Sequence, residues 1–201
     1  MKPILIFDLG KVLVDFDYTL AAEKIGARSV NPPEFHQFFD NLTPVLVQYE
    51  TGLITRQEFF DEVREAVGFQ GSPMEFGEYF AKIFTPIPAM IELHAALRRQ
   101  GYRTYIFSNT NDLAIEHVRQ DFPFFADFDG HILSYEVKAM KPNPAIYEAM
   151  EAMCGAKGEQ LVYIDDRAEN IAGGAARGWR TVLHETPEKT RAALHQWSIN
   201  V

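Results

Sequence analysis

The stretch PILIFDLG, residues 3–10, places an acid directly after a short apolar run. A continuous apolar run of this length is typical of a strand that is buried on both faces. Similar runs occur at residues 103–107 (RTYIF), 131–134 (HILS), 161–165 (LVYID) and 180–183 (RTVL), and helical patterns lie between most of them. Strands that alternate with helices predict an α/β fold with a doubly wound parallel sheet.

Residues 16–85 interrupt this alternation. The segment has a mostly helical pattern and holds about half of the aromatic residues, among them Phe35, Phe38 and Phe39. Turns are indicated at residues 31–33 (NPP) and 71–73 (GSP), and residues 55–58 (TRQE) have the spacing of a capping box. We therefore expect residues 1–15 and 86–201 to form a Rossmann-like core, with residues 16–85 inserted as a helical cap.

Three of the predicted strands end in reactive side chains. Asp8 follows the first strand, Ser108 and Asn109 follow the second, and Asp165 and Asp166 follow a third. Lys141 lies just before a helix that begins near Pro144. In an open parallel sheet, ligands bind at the carboxyl ends of the strands, so the topology predicts one site that contains all of these residues.

The residue types at this edge indicate the chemistry. Three carboxylates without clustered histidines suit a hard cation, so the sequence favours Mg²⁺ over zinc. A lysine together with hydroxyl and amide donors suits a phosphoryl group. A carboxylate held between a cation and a lysine stays ionised and can attack phosphorus. Asp8 is the candidate nucleophile.

Four motifs carry a family resemblance. They are residues 7–17 (FDLGKVLVDFD), 107–111 (FSNTN), 138–147 (KAMKPNPAIY) and 163–171 (YIDDRAENI), which span most of the chain. In this order and spacing, they resemble the haloacid dehalogenase superfamily, in particular its phosphatase branch with a helical cap of C1 type. Within this branch, the motifs resemble bacterial sugar-phosphate phosphatases that act on glucose 1-phosphate.

The resemblance implies a metal site and a nucleophile. Asp8 would be both the nucleophile and a ligand of Mg²⁺. The Gly10 carbonyl and Asp166 would be further ligands, and Asp165 would either bind the ion, directly or through water, or orient the site.

The resemblance also implies a phosphate site. Ser108 and Asn109 would bind the phosphoryl group of a small phosphorylated substrate, and Lys141 would neutralise both that group and the nucleophile. Asn170, one helical turn beyond Asp166, would support the site from behind the residues that touch substrate.

Gly10 departs from the family pattern. Most of these phosphatases carry a second aspartate at this position, which acts as general acid and base. A glycine can still offer its carbonyl to a metal, but it transfers no proton, and such help typically contributes about 10²–10⁴-fold. Asp15 and Asp17, at the entry to the cap, are possible substitutes.

Several alternative functions remain open on these residues. A 2-haloacid dehalogenase would use the same nucleophile without a metal, although the Asp165–Asp166 pair would repel its carboxylate substrate. A phosphomutase is disfavoured by Gly10. A protein that binds a phosphorylated ligand without turnover is the non-enzymatic alternative, and a receiver domain is a related one with a different order of motifs.

Composition limits the binding partners and the cellular location that we expect. A formal charge of −9 argues against binding nucleic acid, and the single cysteine excludes an internal disulfide. The apolar stretch at the N-terminus is too short for a signal peptide, and no apolar run reaches the length of a membrane span. We expect a cytoplasmic protein that does not bind membranes, as a monomer or homodimer.

Overall fold

The structure is a computed structural model that describes residues 2–30 and 35–200, except for the side chains of residues 35–41. The strands of this part of the chain are β1 (Ile4–Phe7), β2 (Val14–Phe16), β3 (Phe84–Pro86), β4 (Thr104–Ser108), β5 (Gly130–Leu133), β6 (Leu161–Asp165) and β7 (Arg180–Leu183). Its α-helices are α1 (Tyr18–Gly26), α2 (Phe35–Glu50), α3 (Arg56–Val67), α4 (Pro73–Ala81), α5 (Pro88–Arg99), α6 (Asp112–Asp121), α7 (Ser134–Val137), α8 (Pro144–Cys154), α9 (Ala168–Ala175) and α10 (Pro187–His195).

The five strands predicted from apolar runs form one parallel sheet. Its order is β5-β4-β1-β6-β7, with Phe7 of the central strand opposite Ile106 on one side and Ile164 on the other. All four residues of β1 are buried, because successive side chains enter two different cores. Leu5 and Phe7 pack on one face of the sheet, and Ile4 and Ile6 pack on the other. The predicted doubly wound α/β fold is confirmed.

A short antiparallel ribbon joins the core to the helical region, and the sequence did not predict it. Strand β2 pairs with β3, so that Asp15 lies opposite Thr85 although seventy positions separate them. The helices α1 to α4 lie between these two strands in the chain and form the cap. The predicted domain limits at 15/16 and 85/86 fall within the ribbon, and the division into domains stays a prediction.

The cap has its own aromatic core. Phe59, Phe60, Phe76 and Phe80 are buried against one another, with ring centroids 5.1–5.8 Å apart. The capping box at Thr55 is confirmed. The predicted turn at residues 71–73 falls at the bend between α3 and α4 and leads into α4, where Ser72 and Glu75 form a second capping box. The turn predicted at residues 31–33 lies outside the described residues, as do the side chains of residues 35, 38 and 39.

His94 makes the core sensitive to acid. The residue is 1% exposed, its Nε2 lies 3.0 Å from the Thr104 hydroxyl, and its ring stacks on Phe128 at a centroid distance of 3.8 Å. Burial, with help from Arg98, lowers the pKa of His94 to about 4. The unfolded state therefore binds the proton first, and stability falls as the pH drops from about 6.5 towards 4.

We expect the free energy of unfolding to fall by about 3 kcal/mol across this window through His94, which urea titrations at several pH values would measure. The variant His94→Gln should have a flatter dependence on pH, whereas His195→Gln, at an exposed position, should keep the wild-type slope. Equal slopes for wild type and His94→Gln would contradict this assignment.

None of the helices in the described part of the chain is both long enough and apolar enough to cross a membrane.

Candidate active site

The predicted site residues converge at the carboxyl edge of the sheet. A pocket of about 260 Å³ lies between this edge and the cap. Its lining includes seven of the eight residues proposed from sequence, namely Asp8, Gly10, Ser108, Asn109, Lys141, Asp166 and Asn170. The eighth, Asp165, is fully buried behind the pocket wall. The topology therefore brings together residues more than 150 positions apart.

Lys141 lies at the centre of the site. Its Nζ is 3.1 Å from Asp8 Oδ1 and 2.7 Å from Asp165 Oδ2, and it donates to the Phe107 carbonyl at 2.8 Å. The lysine side chain is 1% exposed. A buried ammonium is held here because two carboxylates and a carbonyl replace its water.

Asn109 positions the lysine. Its side-chain oxygen accepts from the Lys141 backbone N–H at 2.7 Å, and its side-chain nitrogen donates to the Lys141 carbonyl at 3.0 Å. Both ends of the amide are thus used, so this side chain fixes the loop that carries Lys141. Its predicted contact with phosphate stays a prediction.

Asp165 orients the groups around it. Its carboxylate accepts from Lys141, from the Tyr163 hydroxyl, from the Arg167 backbone at 2.8 Å and from Asn170 at 3.1 and 3.2 Å. Burial alone would raise the pKa of Asp165, but Lys141 and these hydrogen bonds hold it below its usual value. Asp165 is therefore an ionised partner for Lys141, and Asn170 donates to it; the supporting role of Asn170 in catalysis stays a prediction.

Asp8 faces the pocket, and the carboxylates in and around it outnumber the nearby positive charges. One oxygen accepts from the Leu9 backbone at 2.7 Å. Burial raises the pKa of Asp8 to about 8 against the opposing effect of Lys141, and the Asp165 charge raises it further. Burial and Asp165 also raise the pKa of Asp166. One lysine does not compensate three carboxylates, so a cation would keep the pocket-facing pair ionised.

The donor set fits a magnesium ion. Asp8, Asp165 and Asp166 each offer a carboxylate oxygen, and these atoms lie within 4.8 Å of one another. Oxygen donors at this density suit a hard divalent cation. Of the three, Asp8 and Asp166 line the pocket, which favours them as direct ligands.

The variants Asp166→Asn and Asp165→Asn separate the two roles. We expect Asp166→Asn to lose the thermal stabilisation that Mg²⁺ gives the wild type. Asp165→Asn should keep this response, while its turnover falls by about 10–100-fold, the range for a residue that orients others. Thermal melts with and without MgCl₂ measure both. A lost response in Asp165→Asn with a normal response in Asp166→Asn would reverse the assignment.

The space beside Gly10 is already filled. A Cβ built on this residue would lie 2.9 Å from Cε1 of Phe16, closer than real side chains approach. Neither of the substitutes considered from sequence lines the pocket. Asp15 pairs with Lys11, and Asp17 accepts from the Thr19 backbone at 2.8 Å as the cap of α1. No acid from the segment after β1 replaces the missing aspartate.

The cap contributes one acid that sequence reasoning missed. Glu50, the last residue of α2, is half-buried and lines the pocket with Leu46 one helical turn earlier. The helical pattern of α2 gives no sign of this role, because it depends on how the cap docks on the core. The glycine at position 52 marks only the end of the helix.

The chain belongs to the haloacid dehalogenase-like hydrolases. The model of this family matches residues 3–178, which agrees with the resemblance carried by the four motifs. Membership of this family makes the protein an enzyme of the hydrolase class.

Individual relatives extend over most of the chain. A D-ribitol-5-phosphate phosphatase of Bacteroides thetaiotaomicron is 24% identical and covers 94% of this chain and 95% of its own. The crystal structure of a haloacid dehalogenase family enzyme from the same species, in complex with magnesium and inorganic phosphate, is 29% identical with a TM-score of 0.82. It covers 92% of this chain and 95% of its own. Haloacetate dehalogenase H-2 of a Moraxella species is 28% identical over 55% of this chain and 49% of its own.

Proposed function

We propose that the protein is a magnesium-dependent phosphatase of a small sugar phosphate or sugar-alcohol phosphate. The observation that carries this proposal is the arrangement of Asp8 beside Lys141, with Asp166 and Ser108 on the same pocket. This set supplies a nucleophile, a fixed positive charge, an oxygen site for a cation and a hydroxyl donor. The relative solved with magnesium and phosphate supports the same chemistry.

Each residue has a role in this reaction. An oxygen of Asp8 attacks phosphorus, and Lys141 stabilises the charge of the attacked phosphoryl group. Ser108 and the backbone near Asn109 bind its remaining oxygens. Asp8, the Gly10 carbonyl and Asp166 would hold Mg²⁺, which supplies Lewis-acid stabilisation when it is bound. Asp165 keeps Lys141 in place.

The pocket favours a small substrate. Its volume of about 260 Å³ is below the range of about 300–1,000 Å³ that is usual for drug-sized ligands. The relative named for D-ribitol 5-phosphate acts on a substrate of this class. Glucose 1-phosphate, suggested by the sequence motifs, is the other candidate. Phe16, Tyr18 and Leu46 line the pocket from the ribbon and cap, and would contact the part of the substrate that differs between these two.

A 2-haloacid dehalogenase is the alternative that has a relative in its favour. Its substrate is a carboxylate, which the Asp8–Asp165–Asp166 cluster would repel unless a cation were bound. Chloride release from 2-chloropropionate that persists in EDTA would favour this alternative.

A panel of phosphorylated metabolites with MgCl₂ tests the proposal. Purified protein should release phosphate from pentitol, pentose or hexose phosphates, and EDTA should stop the release. The proposal fails if no member of the panel is hydrolysed and the Asp8→Asn variant behaves like the wild type. Binding without turnover, detected as ligand-induced thermal stabilisation, would instead indicate the non-enzymatic alternative.

A further inference from the structure

The reaction proposed above needs two proton transfers. The alcohol oxygen must gain a proton when its bond to phosphorus breaks, and the water that hydrolyses the acyl phosphate must lose one. Gly10 offers no side chain for either transfer, and the Phe16 ring occupies the space beside it. Any side chain that transfers these protons must therefore come from another part of the pocket.

Most titratable groups of the pocket are unsuited to this task. Among the described residues, those that line it are Asp8, Lys11, Tyr18, Glu50, Lys141, Asp166 and Arg167. Asp8 is the nucleophile, Asp166 faces the cation site, and Lys141 is bound by two carboxylates.

The remaining cationic and phenolic groups are also unsuited. Lys11 is paired with Asp15, and an arginine such as Arg167 does not release its proton in proteins. Burial raises the pKa of Tyr18 above its ordinary value, so its hydroxyl does not give a usable base near neutral pH. This leaves Glu50.

Hydrogen bonds to the core fix the position of Glu50. The Ser134 hydroxyl, fully buried, donates to the Glu50 carbonyl at 2.6 Å and accepts from the Thr110 backbone at 2.9 Å. Thr110 belongs to the loop after β4 that also carries Ser108 and Asn109. The end of α2 is therefore tied to the same loop that would bind the phosphoryl group.

Other residues of the segment 49–52, on either side of Glu50, also bond to the core. The Tyr49 hydroxyl donates to Asp112, and the Lys138 ammonium donates to the Gly52 carbonyl. Gly52 has φ +67°, and a Cβ there would lie 2.2 Å from the Tyr135 carbonyl oxygen. The cap thus approaches the core closely on both sides of Glu50.

We propose that Glu50 is the general acid and base of this phosphatase, an inference that rests on the proposed function. As Asp8 bonds to phosphorus, the bond from phosphorus to the alcohol oxygen breaks, and that oxygen keeps the electron pair and takes the proton of the Glu50 carboxyl. The Glu50 carboxylate then removes a proton from water, whose oxygen bonds to phosphorus. The phosphorus–Asp8 bond breaks, and phosphate leaves with both carboxyl groups restored.

The surroundings of Glu50 suit both steps. Burial raises its pKa to about 7, while the Asn111 side chain and Arg167 act in the opposite direction. Tyr18, from α1, also faces this carboxyl. A group that changes protonation near neutral pH serves well as donor in one step and acceptor in the next.

The isosteric variant Glu50→Gln tests the inference. On the sugar phosphate found in the panel, kcat/KM should fall by about 10²–10⁴-fold. On acetyl phosphate, whose leaving group needs no proton, formation of the phosphoenzyme should continue while its hydrolysis slows. Intact-protein mass spectrometry should then find Glu50→Gln carrying one phosphoryl group, which the wild type does not accumulate. Glu50→Asp should restore part of the activity.

Glu62→Gln, an exposed carboxylate of the cap outside the pocket, is the matched control and should behave as wild type. Thermal melts establish that both variants are folded. Glu50→Gln activity within about threefold of wild type would overturn the inference. An equal loss on all leaving groups without phosphoenzyme would also overturn it, because that is the result of a structural role. Wild-type protein inactive on the whole panel would instead overturn the proposed function, and this inference with it.

Discussion

Replacing Asp8 with asparagine is expected to abolish turnover, with kcat/KM lowered by about 10⁴-fold or more. The amide has the shape of the carboxylate but is not a nucleophile, so no phosphoenzyme should form. Phosphate release and intact mass measure the two effects. The metal-free variant should be at least as stable as the wild type, because burial and Asp165 raise the pKa of Asp8 and make its ionised form unfavourable.

The control for this variant is Asp127→Asn, which changes an exposed aspartate that does not line the pocket. Its activity should match the wild type. Phosphoenzyme formed by Asp8→Asn, or activity that differs little from wild type, would assign the nucleophile elsewhere.

Replacing Lys141 with methionine is expected to lower both activity and stability. The side chain is 1% exposed and separates two buried carboxylates, which the variant would leave without a cation. Removal of one partner from a buried ion pair typically destabilises by about 3–5 kcal/mol. Urea unfolding in EDTA measures this difference, and phosphate release measures the loss of activity.

A double variant tests whether the unpaired carboxylate causes the loss of stability. Lys141→Met with Asp165→Asn removes the unpaired charge as well, so it should recover part of the lost stability. Lys157→Met, an exposed lysine, is the control and should change stability by less than about 0.5 kcal/mol. Strictly additive losses in the double variant would show that the Lys141–Asp165 pair does not determine the stability of the site.

The sheet and the convergence of the site could be predicted from sequence because both follow from local patterns. Apolar runs such as residues 161–165 mark strands buried on both faces, and a parallel sheet places their carboxyl ends together. The positions of Asp8, Ser108 and Asp166 required no further information. The capping box at Thr55 is equally local, since four consecutive residues define it.

The different positions of the two acids, Asp165 buried and Asp166 on the pocket, could have been predicted from sequence. Side chains two positions apart in a strand share a face, so Asp165 lies on the same side as Tyr163, which hydrogen-bonds it. Asp166 follows the strand and faces the pocket. Alternation along β6 therefore predicts that Asp165 is buried with Tyr163, whereas Asp166, one position later, is free to face the pocket.

Other features depend on contacts between distant segments and have no local signal. Strands β2 and β3 have three residues each, too few for a periodic pattern, and they pair across seventy positions. Glu50 ends an ordinary amphipathic helix, and only its attachment through Ser134 brings it to the pocket. The position of the Phe16 ring beside Gly10 likewise depends on how the β2–β3 ribbon is placed.

Ser134 gives the cap and the substrate loop a common anchor. Its single hydroxyl bonds the Glu50 carbonyl and the Thr110 backbone, so lifting α2 from the core breaks the bond to the cap while the bond from the Thr110 N–H, which lies within the core, remains. An open enzyme would keep the loop that carries Ser108 but lack the acid proposed at Glu50. If Glu50 is the acid, the reaction would require the closed form, and opening of the cap would both release product and separate the acid from the site.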